Sequence, residues 1–486
     1  MKRWLKRIGL CAGVLCLLGF IFVLAAHLRG HSALNQRLEA LRAQGQKLSA
    51  KELNLKRPAG EENAIVALRP VWRKLKVAVP ALDDAPPSLR FAAPGQVVVA
   101  APLQEWVIAR STNTWQRVAP QLEHAATLLA GLHAALQKPA YDNGIEELPL
   151  VPRLDLQRMA QLLQAAVLHD LGQRQPAAAF AHLSDLLQLI AHQQSEPYIV
   201  CQLVRQNCGV HGFAATWQAL QSAGFDQGQL ASLQAAWEKC DFAGAMPAAF
   251  AMDQALELDT YADLRDSDED LTSPGLCPSW LYGPLWRFAW SDQDELRTLI
   301  RWQVMSERER IARTNSWTAL PVWNHTEDAS AEMPWRVLFE HAEDLGRYDR
   351  YRYLLSGDSF SVTDIIIRGT LRAQVQQQMA VTAIALQRYR LRNGKLPADL
   401  GALVPDLLKT LPRDSMDGKT LRYKLQPDGG FLLYSVGEDG KDDGGSPAPA
   451  DSATKFRSLS DGRDTVWPKP ASPAEAAQAA MKPPGK

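Results

Sequence analysis

At 486 residues the chain is too long for one ordinary domain, and length alone suggests about three. Its 53 Lys and Arg balance 53 Asp and Glu, which argues against a nucleic-acid binder, since phosphate neutralisation calls for a basic excess. A hydrophobic content of 46% with 14 Trp excludes a disordered solubiliser, and 6 Cys are too few for a disulfide-dense miniature scaffold.

The N-terminus carries the clearest signal. Lys2, Arg3, Lys6 and Arg7 precede an uncharged run from Ile8 to Ala26. At about 1.5 Å per residue, residues 8–26 span roughly the hydrocarbon core of a bilayer. Because the basic cluster comes first, the positive-inside rule puts the N-terminus in the cytoplasm and everything after Arg29 outside. In a bacterium this describes a single-pass inner-membrane protein with its bulk in the periplasm. The alternative is a cleaved signal peptide with Val23 and Ala25 as its small-residue site, although the run exceeds a usual apolar signal region. Cys11 and Cys16 lie inside the run and read as apolar fillers.

Residues 1–30 thus form a cytoplasmic tip and anchor. Residues 31–100 read as a stalk helix, with Leu34, Leu38 and Leu41 at helical spacing, followed by a Pro-rich linker. A short helix is expected from about Asn63 to Leu75. Residues 101–358 read as an α-helical domain. Leu154 to Leu171, Pro176 to His192, Pro197 to Ala223 and Gln227 to Cys240 repeat apolar residues at helical spacing, with breaks between them. This predicts an irregular array of antiparallel helical hairpins, or a repeat solenoid without the tetratricopeptide signature. Trp280, Tyr282, Trp286, Phe288, Trp290, Trp302, Trp317 and Trp323 then interrupt the pattern. They are either core filling where helices cross or an aromatic-lined groove for a sugar polymer or peptide.

Residues 359–445 form the most informative stretch. A long helix from Val362 to Arg392 carries an apolar stripe (Ile366, Leu371, Val375, Met379, Ile384, Leu386, Tyr389) and stops at Asn393-Gly394. Lys395-Leu396-Pro397, a short helix through Leu400, Leu403 and Leu407, and the turn Asp414-Ser415-Met416-Asp417-Gly418 follow. Strands are then expected at Leu421 to Leu425 and Gly430 to Val436. The stretch closes on Gly437-Glu438-Asp439-Gly440-Lys441-Asp442-Asp443-Gly444-Gly445.

This order resembles the globular end of the major pseudopilins of type II secretion systems and related type IV pilin-like proteins. The matching residues run from Ala385 to Tyr389, through Asn393-Gly394-Lys395-Leu396-Pro397, Leu400, Leu403, Asp414, Gly418 and Tyr423, to Tyr434-Ser435 and Gly437-Glu438-Asp439-Gly440. Asp464-Thr465-Val466-Trp467 would be a last strand-like tail. The whole chain also resembles uncharacterised bacterial membrane proteins with such a tail behind a helical region. It departs from pseudopilins in lacking their Gly-Phe-Thr-x-x-Glu processing site. Its mid-chain helix is moreover amphipathic, with Arg368, Arg372, Gln374, Gln376 and Gln377 near the start. That helix cannot be a pilus core, so its stripe is expected to pack on the preceding helices. Ser415-Met416-Asp417 replaces the family's Pro and aromatic. The resemblance implies calcium in the acidic loop, with Asp439, Asp442 and Asp443, joined by Asp417, as hard oxygen ligands. The alternative is a solvated Gly/Asp turn. Residues 446–486, rich in Pro and Ala, read as a mostly disordered tail.

Other constellations are weak. Ser356-Gly357-Asp358-Ser359 matches the Gly-Asp-Ser of some hydrolases, but no His follows His341. The His residues show no zinc spacing. Cys201, Cys208, Cys240 and Cys277 form either two disulfides or four free thiols. The fold class expected is therefore mainly α, with a transmembrane helix, a helical hairpin array and a small α+β module carrying a short antiparallel sheet. The function expected is non-enzymatic: a membrane-anchored periplasmic interaction or scaffolding protein, linked to secretion or envelope assembly, with envelope proteins as partners and no nucleic acid. The alternative is a periplasmic enzyme or binding protein that acts on envelope polymers through the aromatic groove near Trp286.

Overall fold

Helix α1 (Lys2–Ala43) runs without a break through both the apolar run and the Leu-spaced stalk. Nothing between Ala26 and Ser32 interrupts it, because Gly30 inside a helix costs only about 1 kcal/mol against Ala. A computed structural model describes residues 2–53, 62–78, 90–91, 98–99, 105–107, 112–142, 151–221, 224–267, 271–273, 277–320, 348–356, 363–448 and 463–470. Along α1, residues 7–22 are exposed on every face, whereas Gly30, Leu34 and Leu41 are buried along one stripe. One helix therefore changes character partway, from apolar all round to amphipathic. It is long and apolar enough to cross a membrane.

The chain forms two compact units, each assembled from separated segments: residues 1–55, 250–308 and 322–364 in the first, and 56–249, 309–321 and 365–486 in the second. These units cut across the serial division drawn from the sequence. The single turn α2 (Ala50–Leu53) follows α1, and α3 (Ala64–Ala78) matches the short helix expected near Asn63. Two small antiparallel ladders come next: β1 (Arg90–Phe91) with β2 (Val98–Val99), and β3 (Glu105–Val107) with β4 (Thr112–Thr114). The second ladder lies where the sequence reading begins its helical domain. Val107, Thr112 and Thr114 are β-branched, which favours strand over helix.

Helices α4 (Trp115–His124) and α5 (Ala126–Leu136) come first, and α6 (Val151–Gly172), α7 (Pro176–His192), α8 (Ile199–Gln221) and α9 (Gln227–Glu238) follow the four expected helices closely. Pro176 opens α7, where its missing N–H costs nothing, and Asp226 caps α9 in a capping box with Gln229. Helices α6, α7 and α8 pack on one another, and α9 packs on α7. The Arg205 guanidinium, fully buried on α8, lies 4.6 Å from the Phe242 ring centroid and donates to the Ile190 and Asp241 carbonyls. Gly209 makes room for that ring, since a Cβ there would sit 2.7 Å from Phe242 Cζ.

Helix α10 (Met246–Asp266) is followed by α11 (Ser279–Leu285), a π-turn at Trp286–Trp290, and α12 (Ser291–Thr314). In the first unit α1 lies beside this run. Leu34, Leu41 and Leu48 join Leu258 and Leu299 in one core, while Val23 and Ala26 pack against a second core built on Tyr261, Tyr282, Trp286 and Trp290.

The long helix α13 (Thr363–Asn393) buries Val375, Met379, Ile384 and Leu386 in the second unit. Its glutamines close the packing: Gln374 Oε1 accepts from the Phe242 and Ala243 amides, each at 3.0 Å, and Gln377 donates to the Trp237 carbonyl. After Gly394 at φ +74° come a single 3-10 turn at Leu400–Leu403 and a three-stranded antiparallel sheet. Its order is β5 (Arg422–Leu425), β6 (Phe431–Ser435), β7 (Thr465–Val466). The last strand falls within residues 464–467, the strand-like segment expected inside the tail. Trp467 meets Phe213 edge-on at 5.1 Å, and Trp217 Nε1 donates to the Pro468 carbonyl.

Candidate functional site

The C-terminal module is organised around one buried carboxylate. Asp414 is fully buried and accepts from the Met416 and Val436 amides, the Ser435 hydroxyl at 2.7 Å and Arg422 Nη1 at 2.9 Å. Burial pushes its pKa up, and the Ser435, Met416 and Val436 donors oppose the rise. The same guanidinium pairs with Asp417 and reaches Asp442 at 3.7 Å. Burial alone would raise Asp417, but Arg422 and the Lys419 amide outweigh it and hold it below its usual value. A turn, a strand and the acidic loop are thus tied to one internal cation.

The four aspartates expected to bind calcium are placed differently from one another. Asp417 and Asp442 face Arg422, Asp443 lies 3.7 Å from Arg463, and Asp439 accepts from the Lys441 amide in its own turn. Among the described residues, no three His, Cys, Asp or Glu side chains are arranged to hold a metal ion. Arg422, on an edge strand, escaped the sequence reading because nothing in its neighbourhood marks it as a partner of Asp414, Asp417 and Asp442. Glu438 turns back toward α13, where it pairs with Arg368 and Arg372. The Trp317 and Thr318 amides donate to the Ser415 and Met416 carbonyls, so the Trp317–Ala319 turn extends the module.

Around the β5–β6 turn lies a cleft of about 430 Å³. Leu220 of α8, Leu396, Phe431 and Trp467 supply its apolar lining, while Gln221, Gln387, Arg390 and Gln426 supply amides and one guanidinium. Asp428 and Lys469 pair at 3.0 Å on its wall. An apolar floor with a few convergent polar groups is how small ligands and peptide side chains are usually held. The lining offers hydrogen-bonding amides and apolar area, not a nucleophile beside a base. These residues come from four separated stretches, so no local motif pointed to them.

Of the aromatic segment, Tyr282, Trp286, Trp290 and Trp302 are buried and Trp280 and Phe288 are exposed. Trp317 belongs to the second unit, with its Nε1 donating to the Glu438 carbonyl, and Trp323 lies outside the described residues. Ser356 is fully buried against Asp294, which also accepts from the Leu355 and Ser356 amides and from Tyr261 and Trp286. Gly357, Asp358 and Ser359 lie outside the described residues. His133 pairs with Asp185 at 2.8 Å and His182 with Asp170 at 2.7 Å. The thiols are free; burial pushes those of Cys208 and Cys240 up to about 12, which makes them unreactive. Comparison with family models, curated proteins and solved structures found no match for this chain.

Proposed function

We propose that this chain is a single-pass membrane protein of the bacterial inner membrane that works in the periplasm as a non-catalytic interaction or scaffolding component. Its C-terminal module is read as a pseudopilin-like docking element, which links the protein to secretion or envelope assembly. The observation that carries the reading is the change of character along α1. Its exposed apolar face from Ile8 to Phe22 would cost heavily in water, at roughly 25 cal/mol per Å², and nothing in lipid. From Val23 onward the same helix is part of a protein core, so anchor and folded body are one element.

The charged and hydroxyl groups around Asp294 and Asp414 are engaged with one another, which supports a structural role for both nodes. The cleft beside Trp467 is where this reading seats a segment of an envelope protein. Reporter fusions and co-purification test it. A phosphatase fused after Lys486 should be active and a fluorescent protein there dark, and the chain should stay in membranes after alkaline extraction. Partners recovered from detergent-solubilised membranes should be lost with Arg390→Glu, which reverses a charge on the cleft wall without touching the core. A cytoplasmic C-terminus, or unchanged partners, would remove the reading's support.

A further inference from the structure

The segment Ser279–Trp290 is apolar on both sides. One face, Tyr282, Trp286, Ala289 and Trp290, is buried in the first unit. On the other, Trp280 is 71% exposed and Leu281 and Phe288 are 46% exposed, with Pro284 exposed between them. Positions 280, 284 and 288 share one helical face by their spacing. The one charged side chain in the segment, Arg287, is turned inward to donate to the Leu264 carbonyl at 2.8 Å. A helix apolar all round with a face left open in water is unstable, and such helices occur in cores or membranes.

The register against α1 says where that open face lies. His27 Nδ1 meets the Phe288 carbonyl at 2.7 Å and His31 Nδ1 meets Asp292 at 3.0 Å, so four residues along α1 match four along the second segment. The two therefore run parallel and leave the membrane side together. Followed backward from Phe288, which sits against α1, the segment to Trp280 covers about 12 Å in the direction of the α1 apolar run. Two ring contacts fix that level. Phe288 stacks on His27 at 4.5 Å, and Tyr348 meets Phe22 edge-on at 5.8 Å. Aromatic side chains at the end of an apolar span are what the headgroup region selects.

We propose that the face formed by Trp280, Leu281 and Phe288 is a second membrane contact, inserted into the outer leaflet beside α1. The occupant is phospholipid, and two contacts instead of one hold the first unit at a set angle to the bilayer. This rests on the anchor reading above, and the test separates the two. The full chain is placed in phospholipid vesicles with a photoreactive residue at one position at a time: Leu15→p-benzoylphenylalanine within the span, Trp280→p-benzoylphenylalanine on the proposed face, and Glu39→p-benzoylphenylalanine as an exposed control about 18 Å beyond His27 along α1. After illumination, mass spectrometry counts lipid adducts. Positions 15 and 280 should each exceed position 39 by roughly tenfold, as expected of apolar and interfacial sites against a solvated one. Adducts at 15 with none at 280, or protein adducts at 280, overturn the proposal and leave the anchor standing. No adducts at 15 remove the anchor reading and this inference with it.

Discussion

Arg422 reaches three carboxylates that the sequence placed in two different turns. Removing it leaves Asp414 buried without its countercharge, and breaking a buried pair from one side costs about 3–5 kcal/mol. Arg422→Ala should lower the unfolding midpoint of the purified chain by several degrees in calorimetry. The same variant frees Asp414, Asp417 and Asp442 for a hard dication, so millimolar calcium should recover more stability in Arg422→Ala than in the parent chain. His211 is the second telling residue. Burial lowers its pKa from 6.5 to about 4, and its Nδ1 lies 2.5 Å from Gln164 Oε1. A depressed folded pKa means the contribution is present above the unfolded value and lost as pH falls through the folded one. Between pH 7 and pH 4 this group should withdraw about 3 kcal/mol. His211→Gln should flatten that part of the stability profile, measured by denaturant melts at both pH values.

At the scale of elements, α1 combines two environments in one helix, and its two halves answer differently to substitution. Leu18→Lys puts a charge near the middle of the apolar run at a cost of about 3 kcal/mol in a bilayer. It should reduce membrane retention in fractionation, with little effect on the melting of the folded body. Leu34→Lys should do the reverse, because Leu34 is 4% exposed against the Leu258 and Leu299 core. Most helices were legible in the chain. The spacing of α6, α7 and α8 and the stop at Asn393-Gly394 come from local rules of periodicity and capping. The β3–β4 ladder was not legible, because short apolar runs satisfy helix and strand patterns alike. Strand β7 was read, within residues 464–467, but its pairing was not. Its pairing partner Tyr434 lies about thirty residues away across a Gly- and Asp-rich stretch, and no local signal carries a pairing over that distance.

For the whole molecule, the C-terminal segment matters more than its composition suggests. Trp467 and the Pro468 carbonyl close the second unit against Phe213 and Trp217. Truncation after residue 462 should therefore expose the Trp217 indole, remove an edge strand and cost at least the 3–5 kcal/mol typical of a deleted buried Trp. A clear drop in melting temperature with exposed-indole fluorescence would check it. The sequence by itself determined the mainly helical class, the apolar N-terminal helix and the presence of a small C-terminal sheet. Each of these is a local property of side-chain periodicity, hydropathy and turn chemistry. Tertiary structure alone decided that two units draw on separated segments, that Arg422 is the cation Asp414, Asp417 and Asp442 face, and that Phe288 lies against His27 just past the end of the α1 apolar run. Those outcomes depend on which distant residues meet, and contacts of that kind leave no spacing in the chain to read.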